Sequence, residues 1–204
     1  DVVGDGLTKG KRRVKIMKKV LYIKANPKSN EVSNTFKISE ALVEKYKKDG
    51  HEVVELDLYK ENLRHLDGEV LGKLFSGEDN EVTKYVNDVT NYDEYIIAAP
   101  MWNLSIPSIL KTYIDHIMVA GKTFAYTENG PVGLLKGKKV VHVTTRGGFY
   151  SEGAGAAYEM GDRYLRTIYG FMGVTDFETV TLEGTNVLSP EDINANLSKL
   201  IVSL

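Results

Sequence analysis

Three short loops of this chain carry the residue types best suited to hold a ligand. The first, Asn26 to Ser33, contains Asn26, Ser29, Asn30 and Ser33 and runs into Asn34 and Thr35 at the start of a helical pattern. Hydroxyls and open backbone N–H groups at a helix entrance accept phosphate. One Ser or Asn suffices for a cap, so this excess leaves phosphate binding and plain capping both open. The second, Pro100-Met101-Trp102-Asn103-Leu104, puts large apolar groups and an amide directly after an apolar run, where a solvated turn is normally polar. Trp102, the only tryptophan, suits burial in the core or, beside Asn103, a wall against a heteroaromatic ring. The third, Thr144-Thr145-Arg146-Gly147-Gly148, offers a backbone without Cβ atoms that a ligand can approach, together with a guanidinium; a simple turn has the same composition. The chain has no cysteine, which excludes disulfides, thiolate nucleophiles and cysteine metal sites, so any redox chemistry must come from a bound group.

These loops are placed by alternating elements. Val20 to Ile23 is a short β-rich run, Ser33 to Lys48 is amphipathic at helical spacing, and Val53 to Leu58 is β-rich again. Tyr95 to Ala99 is a strand, followed by a helix over Pro107 to Val119, whose Ile109, Leu110, Tyr113, Ile114 and Ile117 share a face. Lys139 to Thr145 is the fourth strand, Gly147 to Gly155 a loop with the character of a lid, and Ala156 to Tyr169 a helix. Thr175 to Leu182 is the fifth strand, and a helix over Glu191 to Leu204 starts from Ser189 and Pro190, a cap and first-turn pair. Glu61 to Asn80 and Lys122 to Gly137 read as long inserted loops. Five strands alternating with helices imply a parallel sheet covered on both faces, with ligands at the carboxyl ends of its strands.

Composition fits one α/β domain: 204 residues, 42% hydrophobic and 26% charged, with a mean hydropathy of -0.24 and no apolar run of membrane-spanning length. Lys9, Lys11, Arg12, Arg13 and Lys15 against Asp1 and Asp5 give the first sixteen residues a charge of +3, which leaves -5 of the chain's -2 on the remainder. The segment reads as a leader or misplaced start ahead of Met17, and residues 17 to 204 as the domain. The net-acidic body lacks the positive excess of a nucleic-acid binder, and the cytoplasm is the expected compartment.

The order and separation of Ala99-Pro100-Met101-Trp102-Asn103, Tyr126-Thr127-Glu128-Asn129-Gly130-Pro131 and Thr145-Arg146-Gly147-Gly148 resemble the FMN-dependent NADH:quinone oxidoreductase and azoreductase family over nearly everything after Met17. The resemblance implies a flavodoxin-like three-layer α/β sandwich with a five-stranded parallel sheet in the order 2-1-3-4-5. It also implies a homodimer with one FMN per subunit, and ping-pong transfer of electrons from NADH or NADPH to quinones or azo compounds. It places Asn26 and the Glu31-Val32-Ser33 turn at the FMN phosphate, and Met101, Trp102, Asn103 and Leu104 along the isoalloxazine. Thr145, Arg146, Gly147 and Gly148 fall on the other side of the ring, and Tyr126 toward the partner subunit's flavin. Asn26 stands where the family commonly has serine, Leu104 replaces a frequent phenylalanine, and the first loop is shorter than in some relatives. Glu31 suits a phosphate only through its backbone. No catalytic acid or base is implied, because the cofactor carries the chemistry.

Other signals carry less. Gly133-Leu134-Leu135-Lys136-Gly137-Lys138 is one residue short of a nucleotide P-loop and lacks its Ser or Thr. His51, His65, His116 and His142 show no metal-ligand spacing, and His142 reads as a satisfied buried residue. Two other functions share the fold: an electron carrier serving a protein partner, for which -5 is a modest charge, and an interaction protein with a vestigial pocket.

Overall fold

The computed structural model describes residues 16–204, so all of the basic leader except Ile16 lies outside the described residues. In chain order the elements are β1 (Lys19–Lys24), α1 (Asn34–Lys48), β2 (Glu52–Asp57), α2 (Gly68–Leu74), α3 (Lys84–Val89), β3 (Glu94–Ala98) and α4 (Ser108–Ile117). They continue with β4 (Phe124–Thr127), β5 (Gly130–Gly133), β6 (Lys139–Thr145), a 3-10 helix (Gly153–Tyr158), α5 (Gly161–Phe171), β7 (Asp176–Leu182) and α6 (Pro190–Ser203). Five strands form a parallel sheet in the order β2-β1-β3-β6-β7, which is 2-1-3-4-5 when only its own strands are numbered.

The strands' near-continuous apolar runs follow from burial on both faces. Leu21 and Ile23 of β1, Tyr95 and Ile97 of β3, and Val140 of β6 point into one core, with Leu110, Tyr113 and Ile114 of α4 and Leu165 and Tyr169 of α5. Their neighbours Val20, Tyr22, Ile96, Ala98, Val141 and Val143 point into the other, against Phe36, Ile38 and Leu42 of α1 and Leu197 of α6. Full burial of such side chains is worth about 1.5–3 kcal/mol each, which fixes strand register and hence the alignment of the strand ends.

The inserted loops hold structure that periodicity missed. Asp67 caps α2 by accepting from Val70 N at 2.9 Å, and Val70 and Leu74 pack with Val82, Val86 and Val119 as a satellite core. Lys122 to Gly137 contains the β4–β5 hairpin, which docks where α5 ends: a Cβ on Gly133 would lie 2.1 Å from Gly173 N, and Leu135 N donates to Met172 O. The helix expected from Ala156 begins at Gly161 instead. Glu159 ends the preceding turn in extended backbone and takes the N–H groups of Gly161, Asp162 and Arg163 on its carboxylate, so the α-helix starts there. The lid-like stretch after Gly148 closes into the 3-10 helix.

Candidate functional site

The carboxyl ends of β1, β3 and β6 meet where strand order reverses, and their loops line a cavity of about 390 Å³. That is a common size for a small-molecule pocket, roughly 300–1,000 Å³. One end is the entrance to α1. Ser33 caps the helix by accepting from Phe36 N at 3.2 Å and also accepts from the buried Asn26 amide at 3.0 Å, so its own hydroxyl hydrogen stays available to donate. The first N–H groups of a helix have no intrahelical partner. Among the described residues no protein acceptor takes those of Asn34 and Thr35. Lys28 also lines the cavity, and among the described residues no carboxylate does. Free donors, a helix N-terminus and one lysine make this end fit a phosphate.

The walls come from β3 and β6. Met101 N donates to Thr145 O at 2.9 Å and Thr35 Oγ1 lies 2.8 Å from Thr145 Oγ1, which locks the second and third loops and the helix entrance together. Trp102 and Ser105 exchange backbone hydrogen bonds at 2.9 and 3.0 Å around Asn103 (φ 48) and Leu104 (φ 68). Both central residues of this tight turn are left-handed, which costs glycine or asparagine little and leucine about 1–2 kcal/mol; strain of this kind gathers at functional sites. Pro100, Met101, the half-buried Trp102 and Gly147 face the cavity, giving it an aromatic and apolar wall with a bare backbone opposite. These features fit a flat heteroaromatic ring carrying a phosphate.

Of the residues singled out by sequence, Asn26, Val32, Ser33, Met101, Trp102, Thr145 and Gly147 line this cavity, whereas Glu31, Asn103, Leu104, Arg146 and Gly148 do not. Glu31 lines an adjoining depression. Asn103 and Leu104 form the tip of the turn, with Leu104 40% exposed. Arg146, expected to offer charge, has its guanidinium buried among protein partners: it donates to Glu183 at 3.1 Å and Ser151 at 3.2 Å, and lies 3.5 Å from Glu159. Burial pushes the Glu183 carboxyl up, but the Tyr150 N–H and Arg146 outweigh it and hold it below its ordinary value. Arg146 thus ties the ends of β6 and β7 to the cap of α5, with backbone bonds from Thr185 N and Asn186 N to Arg146 O and Gly147 O. Tyr126 stands on the β4–β5 hairpin, 74% exposed and outside the cavity, edge-on to Phe124.

Thr185 and Asn186 also line the cavity and were not expected from sequence. Their signal was position: they follow β7, the fifth strand, at the same sheet edge. His142 is buried and its Nδ1 lies 2.9 Å from Asp162, a structural pair far from ligand duty. Among the described residues no group of three metal-ligating side chains converges, and no helix is long and apolar enough to cross a membrane.

Sheet order and a phosphate-fitting cavity at the reversal point define a protein of the flavodoxin type. Residues 18–203 match the family model described as flavodoxin-like fold. Over 191 residues, 91% of this chain and 95% of the relative, it is 52% identical to FMN-dependent NADH:quinone oxidoreductase 2 of Clostridium acetobutylicum. It superposes on the crystal structure of azoreductase from Bacillus anthracis with a TM-score of 0.81, at 40% identity, covering 92% of this chain and 98% of that one. A second structure, an FMN-dependent NADH-azoreductase from Bacillus anthracis in complex with FMN, gives 0.81 at 29% identity, with 92% and 97% covered. The chain belongs to the family of FMN-dependent NADH:quinone oxidoreductases and azoreductases.

Proposed function

We propose that the chain is an FMN-dependent oxidoreductase that passes electrons from NADH or NADPH to quinones and azo compounds, working as a cytoplasmic homodimer. The observation that carries this is the cavity itself: unspent helix N-terminal donors and Lys28 at one end, Met101, Trp102 and the bare Gly147 backbone at the other. Asn26, Ser33 and the Asn34 and Thr35 N–H groups hold the phosphate end. Met101, Trp102, Thr145 and Gly147 hold the ring. Bound FMN supplies a ring that accepts an electron pair from a nicotinamide and gives it to a flat acceptor. The chain's own part is orientation and donation of hydrogen bonds from backbone and amide groups, since among the described residues no carboxylate or imidazole lines the cavity.

The homodimer is supported by exposed apolar side chains beside the site. Met160 N donates to Leu104 O, and Leu104, Tyr158 and Met160 are 40%, 59% and 45% exposed. A second subunit covering them would roof the ring, with Tyr126 reaching across. The cytoplasmic placement follows the nicotinamide, an intracellular co-substrate. The test is steady-state reduction of menadione and of an azo dye by the FMN-loaded protein with each nicotinamide, together with sedimentation equilibrium. NAD(P)H-dependent turnover by a dimer is expected. A dimer that leaves both acceptors untouched contradicts the activity, and a monomer with full turnover contradicts the roofed site.

A further inference from the structure

Lys24 is the only lysine among the described residues whose side chain is buried, with 6% of it exposed. It is the last residue of β1, two positions before Asn26. Its ammonium donates to Asn30 Oδ1 at 2.9 Å and to Glu40 Oε1 at 3.3 Å, lies 3.7 Å from Glu55, and sits 4.5 Å from the centroid of the Phe36 ring. Asn30 Nδ2 in turn donates to Glu40 Oε1 at 3.0 Å, which closes a triangle between strand, loop and helix. Glu40 also accepts from Tyr22, whose hydroxyl is 2.6 Å from Ser39.

Burying a cation at the edge of a core is costly, and an apolar side chain of similar volume commonly serves stability as well or better. The position of Asn30 shows what the cation secures. Asn30 lies within the turn in which Ser33 N donates to Ser29 O at 3.1 Å, immediately before the N–H groups of Asn34 and Thr35. Lys24 does not line the cavity but the depression beside it, with Asn26, Lys28 and Glu31, and its contact with the phosphate end runs through Asn30 of this loop.

We infer that Lys24 is a positioning residue for cofactor choice: through Asn30 it holds the β1–α1 turn in the shape that accepts a phosphorylated flavin, and so sets the preference for FMN over riboflavin. This rests on the phosphate placement proposed above. Without the ammonium, Asn30 keeps its bond to Glu40 but loses the one that ties it to the end of β1, while the ring's walls on β3 and β6 are untouched. Only the phosphate-dependent part of binding falls.

The test is titration of apoprotein with FMN and with riboflavin by flavin fluorescence, for the wild type, Lys24→Met and Asn30→Ala; the second variant removes the same link from an exposed loop should the first fail to fold. Wild type is expected to prefer FMN. Each variant is expected to bind FMN at least about tenfold more weakly, with riboflavin unchanged within about twofold. Equal losses for both flavins would make Lys24 a general prop of the fold and overturn the inference. Unchanged FMN affinity in both variants would overturn it too, while the phosphate placement stood. A wild type that binds riboflavin as tightly as FMN would remove that placement, and this inference with it.

Discussion

Gly147→Val probes how closely a ligand must approach the third loop. A Cβ at this position would stand 2.5 Å from Asn186 Nδ2 and 3.1 Å from its Cγ, but those atoms are the far end of an exposed side chain that can swing aside. The folded chain therefore bears the substitution at little cost, and the added side chain is expected to take up space in the cavity that Gly147 lines. Displacing one close backbone contact on a bound ring is worth about 1.4–2.8 kcal/mol, a ten- to hundredfold rise in Kd for FMN. The assay is fluorescence titration of apoprotein, beside a thermal melt of the apoprotein expected to shift by less than about 3 °C. Asn186→Ala added to the same chain is expected to leave the weakened binding in place, because the added side chain still takes up that space. Unchanged FMN affinity would refute close approach at Gly147. Full rescue by Asn186→Ala would assign the defect to crowding within the loops instead.

Three further substitutions test separate parts of the molecule. Tyr126→Ala, at an exposed position outside the cavity, is expected to lower kcat/KM for menadione by about tenfold while FMN affinity stays within about twofold, as turnover per bound flavin would show. Gly133→Val drives a side chain into the Gly173 backbone, where nothing flexible yields, and is expected to cost roughly 2–4 kcal/mol in urea denaturation and to open the hairpin to proteolysis. Burial pushes the Asp162 carboxyl up, but bonds with His142, Thr179 and Arg166 at 2.6 to 2.9 Å outweigh it and hold it well below the usual carboxylate range. A depressed carboxylate stabilises the fold above its unfolded value, about 3.9, and loses that contribution as pH falls toward its folded value. Asp162→Asn is thus expected to cost about 1–3 kcal/mol at pH 7, with the difference from wild type narrowing below about pH 4 in urea midpoints.

The sheet was legible because its signals are strong and local. The runs at Val20, Tyr95 and Val140 are apolar on both faces, and the Ser189-Pro190 pair marks the start of α6 without ambiguity. The hairpin and α2 were not, since each is short and is held by contacts distant in sequence: Gly133 against Gly173, and Val70 and Leu74 against Val119. At the site, Asn26, Ser33, Met101, Trp102 and Gly147 could be named from composition after strands, while the direction of the Arg146 side chain could not. Glu183 and Glu159, which claim it, come from the end of β7 and the cap of α5. Thr185 and Asn186 lacked the glycines and aromatics that drew notice to the other loops, although their place after a strand was visible.

The most direct measurement is anaerobic stopped-flow spectroscopy of the FMN-loaded protein, mixed first with NADH or NADPH and then with menadione. Loss of flavin absorbance on the first mixing and its return on the second, each at or above the steady-state turnover rate, is the expected result. A flavin that neither nicotinamide bleaches would contradict the enzyme activity and favour an electron carrier whose partner is a protein.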